Sequence, residues 1–246
     1  MRILPVGLAA ITALTLSAAG AARGEERTYP ELTGFSAIDV SAGINVEIRQ
    51  SESFAISAEA PGRPVLDHLE IRSDGDTLII TRDGNFLAFI LEGGLVGALL
   101  GGGDDIHVTV ALPELTGVFA SSGAEASVAA FTTVKFEAGA SGGADLTISD
   151  ISAGHVELSA SSGADLEISG TCATLDASAT SGSDLNAERL NCAAGNLSAS
   201  SGADLSARIT EGVQAESSSG ADVTVYGNPQ QTDLSNSSGG GVRLRN

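Results

Sequence analysis

Carboxylates recur along this chain at a nearly fixed interval. Glu125, Asp145, Asp165, Asp184, Asp204 and Asp222 follow one another every 18 to 20 residues. If equivalent positions lie over each other, the acids stand about 5 Å apart, and in water each neighbouring pair repels by roughly 0.8 kcal/mol. Hard cations favour carboxylate oxygens, so calcium on Asp145, Asp165, Asp184, Asp204 and Asp222 is one chemistry this column offers. The structural alternative is that Asp bonds local backbone amides in a turn and needs no metal there. One acid per twenty residues also differs from calcium-binding β-rolls, whose repeat is about nine residues. The expectation is no resident cofactor or metal, with calcium as the alternative.

Other reactive types are sparse. His68, His107 and His155 are scattered, without cysteine or carboxylate neighbours at metal-ligand spacing. Serines abound, but no strand-to-helix nucleophile elbow with acid and histidine partners is visible. Some β-helix proteins cleave acidic polysaccharides with a basic residue beside bound calcium. The body of the repeats offers for that only Lys135, the single lysine of the chain, with Arg189 and Arg208, and none has a partner in register. These features name no catalytic residue and point away from an enzyme, leaving an acidic-polysaccharide-active enzyme as the alternative. Cys172 and Cys192 each lie ten residues before the glycine of the following repeat, Gly182 and Gly202. They are expected one above the other, either as a disulfide closing a loop worth on the order of 3 kcal/mol in an oxidising compartment or as two reduced, buried small residues.

The elements that position these residues come from a repeat. Ser122-Gly123-Ala124-Glu125 returns as Gly142-Gly143-Ala144-Asp145, Ser162-Gly163-Ala164-Asp165, Ser181-Gly182-Ser183-Asp184, Ser201-Gly202-Ala203-Asp204, Ser219-Gly220-Ala221-Asp222 and Ser238-Gly239-Gly240-Gly241. Five residues before the glycines stand Val118, Ala138, Leu158, Ala177, Leu197, Ala215 and Leu234; three after them stand Ala126, Leu146, Leu166, Leu185, Leu205, Val223 and Val242. Apolar positions alternate with Ser, Thr, Glu and Asn on both sides of each glycine, the period-two signature of strands with one buried face. Each repeat therefore reads as strand, bend, strand. One copy alone cannot bury its apolar face, whereas stacked copies pair backbone to backbone and close a core. Twenty residues at about 3.3 Å each circle a narrow core, with rungs about 4.8 Å apart. The rival, an antiparallel sandwich of hairpins, would reverse side-chain order and lose the column identity. A glycine-to-valine change at the bend is expected to disrupt, because glycine tolerates positive φ there.

The N-terminus carries Arg2, an apolar run from Ile3 to Ala19, then Ala19-Gly20-Ala21 before a charged stretch, the layout of a secretory signal peptide cleaved near Ala21. A retained anchor is the alternative, but Pro5, Gly7 and several hydroxyl residues make the run short and weakly apolar for a span. The chain holds 31 acidic and 12 basic residues, a formal net charge of −19, and such a surface repels nucleic acid and anionic headgroups. Upstream of the repeats, Phe35–Val40, Ile44–Ile48, Phe54–Ala58, Leu69–Ile71 and Leu78–Ile80 read as strands with turns at Pro61-Gly62 and Asp74-Gly75, starting the coil and capping its end. An apolar insertion over 86–103, interrupted by Glu92 and six glycines, reads as a lid over one end or as a patch for a partner, a membrane surface or a second copy.

Phe35 to Gln50 with the Gly43-Ile44-Asn45 triplet, the Ile106–Leu115 strand, the Ser-Gly-Ala-Asp repeats and the Val225–Pro229 segment together resemble the auto-transporter adhesin head-domain family with the GIN motif. The resemblance spans nearly the whole mature chain. It implies a right-handed parallel β-helix in an exported bacterial protein, with "adhesin" an analogy carried by fold. Nothing after the repeats resembles the strands of a membrane barrel, a departure from a true auto-transporter.

The expected organisation is a signal peptide (1–21), a linker (22–34), an N-terminal β region with the insertion (35–112) and the repeat β-helix (113–246): an all-β, single-stranded right-handed parallel solenoid of about seven recognisable rungs of about twenty residues each. The expected function is a periplasmic or extracellular, non-enzymatic, adhesin-like or envelope-binding module. Its partners would be a glycan or envelope component, not nucleic acid, with self-association through 86–103 as an alternative.

Overall fold

The computed structural model describes residues 24–83 and 105–245, so the expected signal peptide and the apolar insertion 86–103 lie outside the described residues. In chain order the elements are β1 (Glu25–Thr28), β2 (Ala37–Val40), β3 (Asn45–Gln50), β4 (Ala55–Ala60), α1 (Arg63–Leu66), β5 (Leu69–Asp74), β6 (Thr77–Arg82), β7 (His107–Leu112), β8 (Gly117–Ser121), β9 (Glu125–Ala129), β10 (Thr132–Ser141), β11 (Asp145–Ser161), β12 (Asp165–Thr180), β13 (Asp184–Ser200), β14 (Asp204–Ser217), β15 (Asp222–Tyr226), β16 (Gln231–Asn236) and β17 (Gly241–Arg245). They form one continuous curled sheet, a β-solenoid of stacked coils.

The stacking follows the sequence columns. Leu146 pairs in parallel with Leu166, Leu166 with Leu185 and Leu185 with Leu205; Leu158 pairs with Ala177, and Ala177 with Leu197. Parallel register between successive Ser-Gly corners rules out the hairpin sandwich. The solenoid has a leading face before each corner, made of β5, β6, β2, β8, the C-terminal halves of β10 to β14, and β16. Its trailing face, after the corner, holds β1, β4, β7, β3, β9, the N-terminal halves of β11 to β14, β15 and β17.

At the corners the serine as well as the glycine takes positive φ, as in Ser162 and Gly163 (φ 56° and 70°) or Ser201 and Gly202 (57° and 69°). Two successive left-handed residues turn the glycine amide along the stack. Gly143 N–H donates to the Ser162 carbonyl (3.2 Å), Gly163 to Ser181 (3.2 Å) and Gly182 to Ser201 (3.1 Å). Ala42-Gly43, just before Ile44 and Asn45, is the same corner, with Gly43 donating to Ser122. A second bend, which the column counting did not register, falls at Ala130, Asp150, Gly170 and Gly227, all with positive φ, where the β11–β12 register shifts between Ile148 and Ile151.

Inside runs one apolar core from Phe35 to Val225. Burying each Leu or Ile contributes about 1.5–3 kcal/mol, so this ladder dominates stability. At the C-terminal end the same columns hold Leu234 and Leu244, 40% and 50% exposed because no further rung covers them. The N-terminal end is closed differently. After β2 and β3 the chain runs through antiparallel β4, the one-turn α1 and the β5–β6 hairpin, and Leu66 of α1 is fully buried. Arg27 ties this cap down, bonding the Leu66 carbonyl (2.9 Å) and Asp67 (2.7 Å). Rungs do not follow chain order here. The β2–β3 rung lies between β6–β7 above and β8–β9 below.

Cys172 and Cys192 face each other across β12 and β13, Cα to Cα 4.6 Å, and are joined as a disulfide. Substituting both by alanine is expected to cost about 3 kcal/mol, a fall of roughly 6–12 °C in melting midpoint for a domain of this size. A thermal melt of wild type with and without reductant, beside the double variant, measures it. An unchanged midpoint in all three would show that the bond adds nothing.

Candidate functional site

The corner aspartates point outward because each sits between two inward residues, as Asp165 does between Ala164 and Leu166. Asp145, Asp165, Asp184, Asp204 and Asp222 stack in register, with Glu125 beside Asp145, and Asn45 and His107 continuing the column. The amide-capping role expected of them is absent, for a plain reason: the nearby amides are already used. Gly143 N–H serves the next corner, Ala144 N–H bonds Ser141 and Asp145 N–H bonds Ala124. Asp222 instead pairs with Arg243 (3.1 Å). Among the described residues no group of three or more His, Cys, Asp or Glu is arranged to hold a metal ion.

Packing like charges leaves a mark. The Asp184 carboxyl is raised above the ordinary range, first by burial and then by Asp165 and Asp204 on either side. A carboxyl raised in the folded state favours folding at low pH, and that contribution is lost as pH climbs through its folded value; at neutral pH the charge therefore opposes folding. Asp184→Asn is expected to raise the melting midpoint at pH 7 by about 1–3 °C, given exposure and salt screening. The gain should vanish near pH 3 and shrink in high salt. Melts at the two pH values test this, and a gain that persisted at pH 3 would reject charge repulsion as its cause.

The histidines stay apart. His68 contacts Asp83 (2.9 Å) beside the cap, His107 belongs to the trailing face, and His155 Nδ1 lies 2.8 Å from the Thr174 hydroxyl on the rung below. The basic residues expected to stand alone each lean diagonally onto a carboxylate of a neighbouring rung. Lys135 pairs with Glu157 (3.2 Å), Arg189 with Glu167, and Arg208 with Glu188 (3.8 Å) while covering the Tyr226 ring.

A different place on the molecule has the shape of a site. The leading face is hollowed into an open groove of about 460 Å³ that crosses the rungs. Its floor is a column of small hydroxyls, Ser159, Ser178 and Ser198, in register. Alongside runs a column of carboxylates and amides, Glu137, Glu157, Asp176, Asn196, Gln214 and Asp233. Asn196 donates to Asp176 (2.7 Å) and Gln214 to Asp233 (3.3 Å), so these side chains are held in place. Both columns are outward members of the same alternation whose inward members, Leu158, Ala177 and Leu197, form the core.

The floor column continues upward to Gly139, Phe119 and Asp39. Gly139 and Gly117 face outward yet are buried, because the Phe119 ring lies across them. A Cβ added to Gly139 would stand 2.9 Å from Phe119 Cδ1, and one on Gly117 3.3 Å from Cε2. Burial beside this ring raises the Asp39 carboxyl. Phe119 belongs to neither of the inward columns that the repeat marks. Its offset, four before Gly123 and thus one off the inward column, was the available signal.

A family model described as "Putative auto-transporter adhesin, head GIN domain" matches residues 34–229. No curated protein matches the chain. Among solved structures, the chain is similar to a "putative adhesin" from Bacteroides fragilis NCTC 9343, with a TM-score of 0.77 at 15% identity over 92% of this chain and 98% of that one. It is also similar to a "putative lipid binding protein" from Parabacteroides distasonis ATCC 8503 (TM-score 0.69, 14% identity, 92% and 98% covered) and to a "putative adhesin" from Parabacteroides merdae ATCC 43184 (0.65, 14%, 92% and 98%). At these identities the likeness is one of fold.

Proposed function

The chain belongs to the "putative auto-transporter adhesin, head GIN domain" family, and from that premise we propose that it is an exported, non-enzymatic, adhesin-like binding module. Export rests on the N-terminal segment, with cleavage near Ala21 releasing the solenoid into the periplasm or beyond the cell. The observation that carries the reading is the groove of the leading face. Polar side chains repeat there at the pitch of the rungs, above a rigid core that commits every inward residue to packing. A surface of this kind suits an extended partner with a repeating structure of its own, such as a glycan or another envelope polymer. Its carboxylates disfavour the acidic polysaccharides that the enzymatic alternative requires, and Lys135 is engaged by Glu157, one of the residues that line it.

Co-sedimentation of the purified mature protein with washed cell envelopes tests the reading. Saturable retention is expected, weakened at least about tenfold by Ser178→Arg, which fills the floor with an exposed side chain and leaves the core untouched. Equal retention of variant and wild type would remove the groove from the account. Release of soluble sugars during prolonged incubation would overturn the non-enzymatic assignment.

A further inference from the structure

We propose that the groove is a subsite for a glycan chain that is uncharged or carries amino groups, with the Phe119 ring as the stacking platform at its head. This rests on the binding-module reading and adds the class of ligand. A sugar ring has an apolar C–H face and an edge of hydroxyls, so its receptor needs a flat apolar surface beside convergent planar acceptors and donors. Both are in line on the leading face. Phe119 covers two glycines on neighbouring rungs, its ring atoms standing beside the positions that a Cβ would take on Gly139 and Gly117, and the residue is still partly exposed. Any larger residue at Gly139 would lift the ring, as the Cβ position 2.9 Å from Cδ1 shows. Below it the serine floor leaves room for rings to lie along the groove. Asp176 and Asn196, bonded to each other at 2.7 Å, present oxygen and nitrogen atoms to adjacent hydroxyls. The next polar partner comes one rung on, about 4.8 Å away, and serves the next stretch of an extended chain.

Charge narrows the class. Glu137, Glu157, Asp176, Glu216 and Asp233 border the groove, so uronic acids and sulfated sugars are repelled and protonated amines are drawn in. An amine can also sit over the Phe119 ring. An extended peptide fits less well: strand addition needs a free sheet edge, and β10 to β14 beneath the groove are hydrogen-bonded on both sides, which leaves only the outer edge of β16 at its lower end.

Isothermal titration with soluble oligosaccharides of equal length, one a chitosan, one a neutral β-glucan and one a polygalacturonate, decides the matter, with oligolysine as a fourth titrant. The chitosan and the glucan are expected to bind and the polygalacturonate is not, with the chitosan preference shrinking in high salt. Phe119→Ala should weaken both binders about fivefold to tenfold, and Asp176→Asn should reduce the chitosan preference. Melting curves of each variant confirm that it is folded, and Ser178→Arg, far from the ring, should also block binding. Polygalacturonate binding as tightly as glucan, an unaltered affinity in folded Phe119→Ala, or binding of oligolysine alone would each overturn the proposal. If envelope retention depends on Ser178 while no oligosaccharide binds, the ligand class is wrong and the binding module stands. If retention ignores Ser178, both fall.

Discussion

Valine at Gly170 is expected to abolish the cooperative melting transition or lower it by more than about 10 °C, a loss above the 4–5 kcal/mol that marks exceptional substitutions. Gly170 has φ +133°, a region that side-chain-bearing residues rarely enter, and its Cβ would run into the Ile151 carbonyl oxygen, with the Ile151 nitrogen only 2.7 Å away. Ile151 is itself buried, so its backbone has nowhere to go. The corner glycines, at which the repeat predicts disruption, behave differently. A Cβ on Gly163 meets nothing within 4 Å, and the preceding Ser162 already tolerates φ of 56°. Gly163→Val should therefore cost only the left-handed strain, about 1–2 kcal/mol, or roughly 2–8 °C. Circular dichroism melts of the two variants side by side measure the contrast. Similar midpoints would refute the distinction between open corner and closed bend.

Leu166→Ala is expected to cost about 2–5 kcal/mol, lowering the midpoint by roughly 5–15 °C. Leu166 is 1% exposed, stacked between Leu146 and Leu185, with Ala144, Ala164 and Ala203 lining the nearby corner wall. Alanines cannot swing into a void, so little of the cavity collapses. Leu234→Ala removes the same atoms from a residue 40% exposed at the end of the stack and should cost less than about 1 kcal/mol. Equal losses at the two sites, by thermal or urea unfolding, would contradict the closed core.

What the sequence reveals depends on how local the cause is. The columns around Gly123 to Gly239 are legible because every inward residue repeats its predecessor, and the parallel pairing of Leu146, Leu166, Leu185 and Leu205 follows directly. The interleaving of β2–β3 between β6–β7 and β8–β9 is not legible: Ile38, Leu78 and Val118 follow one another at equal steps of 40 residues, and nothing in that spacing says that the first lies between the other two. The second bend is hidden because three residue types share it, at Ala130, Asp150, Gly170 and Gly227. The groove was half visible. Its serines are in the repeat, but its partner column varies among Glu, Asp, Asn and Gln, and its shape comes from curvature. Phe119 is not legible because its place depends on two glycines, Gly117 and Gly139, that only the stacking of rungs brings beside its ring.

The interleaved N-terminal rungs make the solenoid a zipper with one locked end. β2–β3 cannot leave without parting from neighbours on both sides of it in the stack, both contributed by later chain, and the buried Leu66 plug closes the stack above them. At the other end, among the described residues, β16 pairs with β14 alone and β17 with β15 alone. In a stack whose cohesion is a sum of nearest-neighbour contacts, loss of structure then travels in one direction, from residue 245 backwards. Amide protons are therefore expected to exchange fastest in β16 and β17 and slowest around β2 and β8, with the groove's lower rungs opening before the Phe119 end does.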